Sequence, residues 1–113
     1  MSPRRTNEPI PPGTLDMLVL RTLRRNGELH GFAIAEAIEH ASTDVLRVEE
    51  GSLYPALQRM LVKGWIAAKW GRTAENRRAR YYKLRPAGRR QLERALEQYG
   101  RVSGAIARVL ETA

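Results

Sequence analysis

Gln58 and Arg59 sit side by side, one turn after the run Ser52-Leu53-Tyr54-Pro55. Glutamine can grip an adenine edge through two hydrogen bonds, and arginine can grip guanine likewise. Each such pair is worth about 1–3 kcal/mol of discrimination against the wrong base. Leu53, Leu57, Met60 and Leu61 fall at helical spacing, so they form a buried stripe with Pro55, Gln58, Arg59, Val62 and Lys63 on the other side. A second set of cations follows. Between Lys69 and Arg90 stand nine basic residues and one acid, Glu75, so this window carries the whole net charge of +8. The rest of the chain balances, with 11 basic and 11 acidic residues. A local excess on a neutral background is the footprint of a surface for a polyanion.

Other chemistries find no residues here. There is no cysteine, and His30 and His40 lack zinc-ligand spacing, so no metal is expected. No nucleophile–base pair and no phosphate loop of the Gly-x-x-x-x-Gly-Lys type is present, which argues against an enzyme and against a bound cofactor. No apolar run approaches the roughly 20 residues of a membrane-spanning helix. The start, MSPRRTNEPIPPG, lacks the apolar stretch of a signal peptide. A cytoplasmic protein away from membranes is expected.

The 113 residues suffice for one modest core. Residues 1–12, with four prolines plus Arg4 and Arg5, read as a flexible basic arm. Leu15, Leu18, Val19 and Leu23 predict a helix over about Thr14–Arg25, stopped by Asn26-Gly27. A second helix over about Gly31–Glu39 buries Ile34, Ala37 and Ile38. The helix carrying Gln58 and Arg59 should end near Lys63-Gly64. Ile66, Ala68 and Trp70, then Tyr82 and Leu84, alternate as two strands of a hairpin around the polar stretch GRTAENRRA. Leu46-Arg47-Val48 would add a short strand at its edge. Trp65 and Trp70 read as the hairpin's core anchors.

Pro86 opens a long helix to about Glu111. Leu92, Ala95, Tyr99, Val102, Ile106, Val109 and Ala113 step by three and four, with Leu96 and Leu110 widening the seam. Such a seam suits pairing with a helix of another chain. Gly100 and Gly104 allow a break at YGRVSG, with Ser103 capping a second piece, but the seam runs through both halves and favours one helix.

Pro55 needs an account, because proline inside a helix costs about 3 kcal/mol or more. With Ser52 as the cap, Leu53, Tyr54 and Pro55 become the first three helical residues, whose amides have no helical acceptor anyway. Pro55 then loses no hydrogen bond and stiffens the end expected to meet the ligand. A start at Glu49 or Glu50 would instead make the first turn irregular.

Helix, helix, helix, basic hairpin and long helix is the order of a winged helix-turn-helix, mainly α with one small hairpin. Its third helix enters the major groove while the wing follows the backbone. The blocks GTLDMLVLRTL, LHGFAIAEAIE, GSLYPALQRMLVKGWI and RARYYKLRPAGRRQLE also resemble, in this order, the PadR-type transcriptional regulators, from about Gly13 to Leu96. That resemblance implies a winged helix-turn-helix over 13–85 and a dimerisation helix over 86–113. It implies a homodimer on a palindromic operator in double-stranded DNA, usually as a repressor, and leaves a small-molecule effector open. Relatives with an aromatic drug site at the dimer interface do not extend that activity here, because the last helix holds no tryptophan.

Expected DNA contacts are then Ser52, Tyr54, Pro55, Gln58, Arg59 and Lys63 on the third helix. His30 and Gly31 open the second helix with free amides, and Arg72, Arg77, Arg78 and Arg80 lie on the wing. Arg77 and Arg78 are nearest its tip. Expected dimer contacts are Leu92, Leu96, Tyr99, Val102, Ile106, Val109 and Leu110. The chain departs from the family pattern at Phe32, where a tyrosine hydroxyl is usual, at Ser52 in place of threonine, and at Arg85, where threonine often caps. The charge alone also permits a structural RNA-binding protein. Tyr81 and Tyr82 are adjacent and point to opposite faces, which makes a poor stacking platform.

Overall fold

A computed structural model of the chain describes residues 8–11 and 13–112. Most of the arm expected over 1–12 therefore lies outside the described residues. The helices are α1 (Leu15–Asn26), α2 (Gly31–Ala41), α3 (Glu50–Val62) and α4 (Pro86–Glu111). Each keeps the apolar face its spacing implies. Val19, Leu20 and Leu23 of α1 meet Ile34 and Ile38 of α2, and Leu53, Ala56, Leu57 and Met60 of α3 close the core between them. Ile66, Tyr82 and Leu92 seal it from the hairpin and α4 sides.

The hairpin pairs β4 (Ile66–Arg72) with β5 (Arg78–Leu84), in a register that sets Ala68 opposite Tyr82, Trp70 opposite Arg80 and Arg72 opposite Arg78. Its third strand is not Leu46–Val48. β2 (Leu29–His30) adds to β5 instead, pairing Leu29 with Tyr82 and His30 with Tyr81. Leu46–Arg47 forms β3, which pairs in parallel with β1 (Glu8–Pro9) on a separate two-stranded sheet. The Gly27 turn brings Leu29 straight back along the free edge of β5, and two residues before α2 suffice to occupy it.

The start of α3 also differs from expectation. The amides of Ser52 and Leu53 both donate to the Glu49 carbonyl, at 3.0 and 2.9 Å, so Glu49 is the cap residue and Ser52 makes no capping bond. Pro55 is therefore the sixth residue of the helix, well inside it. Its missing N–H deprives the Gly51 carbonyl of a helical partner. Gly51 is exposed and an added Cβ would meet nothing within 4 Å, so solvent can serve that carbonyl. Exposure is what makes an interior proline tolerable here.

α4 is one unbroken helix through Gly100 and Gly104, about 39 Å long at the usual rise. Its first turns are locked to the domain. Leu92 is fully buried, Glu93 pairs with Arg24 of α1 at 3.8 Å, and Gly88 lies against the Trp65 backbone. Leu92 thus belongs to the chain's own core and is removed from the dimer contacts expected above. Beyond it the helix projects away, giving a radius of gyration of 15.8 Å where a compact chain of this size has about 13 Å.

Candidate nucleic-acid interface

The N-terminal end of α2 is built by His30. Its backbone pairs with β5, and its Nδ1 accepts a hydrogen bond from the Ala33 amide at 3.2 Å. One of the amides expected to be free is therefore already taken. Gly31 is buried beneath the Tyr54 ring, where an added Cβ would stand 2.7 Å from the Tyr54 hydroxyl. The hydroxyl end of the Tyr54 ring closes over the α2 backbone while the side chain as a whole stays half-exposed.

The hairpin supplies the opposite wall. Residues Ala68, Trp70 and Arg72 share a face with Tyr82, Arg80 and Arg78. Ala68 and Tyr82 pack in the core, and the face then runs out past it. Between this face and the α2 end lies a cleft of about 710 Å³, lined by His30, Gly31, Tyr54, Trp70, Arg78 and Arg80 among others. Arg77 reaches it from the wing tip. Burial lifts the Tyr82 hydroxyl above its ordinary pKa of 10.0, against the opposing charge of Arg80 and with Tyr54 adding to the rise.

The wing tip is braced by its own side chains. Arg72 donates to the Asn76 carbonyl at 3.0 Å, the Tyr81 hydroxyl donates to the Arg72 carbonyl at 2.9 Å, and the Arg77 amide donates to Thr73 Oγ1 at 3.1 Å. Arg72 is thus partly committed to the loop. Arg78 lies over the Trp70 ring, 4.4 Å from its centroid. Trp70 is 59% exposed, so it is not the core anchor its alternation suggested. Only Trp65 packs against the core, with Lys63 over its ring at 4.7 Å.

The remaining residues divide. Ser52, Pro55 and Arg59 border a second hollow of about 330 Å³ with Ile10, Leu15 and Arg47. Gln58 is exposed one turn beyond Tyr54, on the same strip of α3. Arg59 is not free, because its guanidinium pairs with Asp16 of α1 at 2.9 Å. Lys63 stands at the far end of α3, away from the cleft. Glu49 and Glu50 open the helix, and Arg47 neutralises Glu49 at 3.1 Å. Carboxylates there suit the helix dipole but repel phosphate, so the positive face is the wing rather than the α3 tip, and the middle of α3 offers the polar Gln58 with Arg59 held by Asp16. Asp16 and Trp70 were not legible as site residues. Their roles appear only once α1 crosses α3 and the hairpin register sets Trp70 diagonal to Arg78.

Three comparisons locate this architecture. A 90-residue stretch, 80% of the chain, is 43% identical to an uncharacterised 37.1 kDa protein of a Streptomyces fradiae transposon, and spans only 24% of that protein's length. A PadR family transcriptional regulator from Eggerthella lenta shares the fold with a TM-score of 0.76 at 28% identity, over 89% of this chain and 85% of that one. Bacillus subtilis PadR, solved in complex with operator DNA, is similar in fold with a TM-score of 0.64 at 23% identity, over 74% and 47% of the two chains. The family model for PadR-like transcriptional regulators matches residues 19–94, and on that match, with four helices and a winged hairpin in family order, the chain belongs to the PadR-like family of transcriptional regulators.

Proposed function

We propose that this chain is a sequence-specific DNA-binding regulator that acts in the cytoplasm as a homodimer on a palindromic operator, usually as a repressor. The carrying observation is the joined surface of α3, the α2 end and the wing. There Arg77, Arg78 and Arg80, none of them in an ion pair among the described residues, line the cleft with the half-exposed Tyr54, and Gln58 is exposed one turn further along α3. The solved complex of Bacillus subtilis PadR with operator DNA supports the same use of the fold. Phosphate contacts from the wing would set position, and Gln58 with Arg59 would read bases once Arg59 exchanges Asp16 for DNA. Tyr82 is buried, and Tyr81 is half-buried with the His30 ring packed edge to face with it at 5.3 Å, so neither offers the open ring that RNA stacking uses.

The dimer reading rests on α4. Leu96, Tyr99, Val102, Ile106, Val109 and Leu110 are between 41% and 78% exposed along one projecting helix. An apolar stripe of this length on a heptad spacing calls for a partner helix. A second copy supplies one with the same spacing. The repressor direction rests on the family resemblance alone.

Selection from a pool of random duplexes tests the reading. An enriched inverted repeat with half-sites about 10 base pairs apart is expected, with affinity falling steeply as salt rises. Equal binding to selected and scrambled duplexes, or preference for structured RNA, would refute it. Ile106→Asp should yield a folded monomer by sedimentation.

A further inference from the structure

The exposed indole of Trp70 has no place in the core, yet it carries one defined contact, the Arg78 guanidinium carbon over its ring, 4.4 Å from the centroid. Among the described residues no carboxylate pairs with Arg78, and Glu75 lines the same cleft without an ion pair to it. Arg59 shows the alternative, since Asp16 holds it through a donor that a ligand would need. A ring face differs from a carboxylate in what it uses. It attracts the guanidinium through its flat side and leaves the N–H donors at the edge free.

We infer that Trp70 is a positioning residue for DNA binding: it holds Arg78 flat against its ring, over the cleft beside the α2 end, so that the arginine's donor edge is aimed before DNA arrives. The register explains why this pair forms. Trp70 faces Arg80 directly and Arg78 diagonally, and diagonal neighbours across an antiparallel pair lie within reach of long side chains. The inference rests on the DNA-binding reading and adds a residue to it that makes no phosphate contact of its own.

A double-mutant cycle on full-length protein with the selected operator tests it, with salt dependence measured for each variant. Trp70→Leu should weaken binding about two- to fivefold per half-site while leaving the slope of log affinity on log salt unchanged. Arg78→Ala should lower affinity further and reduce that slope by about 1.8, which is 0.9 for each subunit of the dimer. Trp70→Phe, which keeps a ring, should restore most of the loss. In the Arg78→Ala background, Trp70→Leu should change nothing more. Tryptophan emission of the DNA-free protein should also shift on Arg78→Ala. Full additivity of the two substitutions, or a reduced salt slope for Trp70→Leu alone, would overturn the positioning role while the DNA-binding reading stands. Absence of duplex binding by the unaltered protein would overturn both.

Discussion

Replacing Gly88 by alanine would drive a Cβ into the Trp65 carbonyl oxygen, with the Trp65 carbonyl carbon and Leu84 Cδ1 each at 2.9 Å. The first two of these neighbours are backbone and cannot swing aside. The same carbonyl accepts the Arg85 amide at 2.9 Å, so retreat of α4 from Trp65 also stretches the bond that fixes where α4 begins. Overpacking of this kind costs about 1–3 kcal/mol, and losing the hydrogen bond adds about 1 kcal/mol. The better helix propensity of alanine returns up to about 1 kcal/mol. The net is a loss of about 2 kcal/mol, or roughly 8 °C in melting temperature for a domain of this size. Thermal unfolding followed by circular dichroism, at one fixed protein concentration, measures it. Gly100→Ala is the internal control, because an added Cβ there meets nothing within 4 Å in the same helix. It should gain up to about 1 kcal/mol. A Gly88→Ala protein as stable as the unaltered chain would refute the claim that α4 is locked to the domain through Trp65. A functional consequence follows if α4 forms the dimer, since tilting its root changes the distance between the two α3 helices.

Pro55→Ala should stabilise the fold by about 1 kcal/mol, because the Gly51 carbonyl regains a helical donor; denaturant unfolding reads this, and an unchanged or lower stability would show that the proline costs α3 nothing. Asp16→Asn removes the partner of Arg59. Stability should change by less than about 1 kcal/mol, as for other exposed ion pairs, while affinity for scrambled duplex rises and its salt slope steepens by up to about 1.8 for the dimer, 0.9 per subunit, as titrations at several salt concentrations would reveal. Tyr82 gives a pH dependence. Its folded pKa is raised, so the neutral hydroxyl is favoured in the fold, and that contribution is complete below pH 10 and lost as pH rises through the folded value. Melting curves between pH 9 and 11 should show Tyr82→Phe losing less stability than the unaltered chain.

The sequence determined the elements whose signals are local. Periodic leucines and isoleucines placed the buried faces of three helices, alternation placed both wing strands, and Pro86 with an uninterrupted heptad placed one long final helix. It also localised the excess charge to the wing, since charge is a property of residues and needs no fold. Tertiary structure decided the rest, because partners distant in sequence settle it. Ser52 looked like the cap of α3, yet Glu49 takes that place and leaves Pro55 inside the helix, where exposure of Gly51 makes it tolerable. Trp70 alternates as a core residue would, but the hairpin outruns the core and leaves the ring outside, against Arg78. Leu92 fits the heptad as well as Ile106 does, and only the contact of the first turns of α4 with the domain assigns it to this chain's own core. Arg59 belongs to a recognition face by spacing and to Asp16 by position. Periodicity specifies which side of an element is apolar; what lies opposite that side depends on how the elements cross.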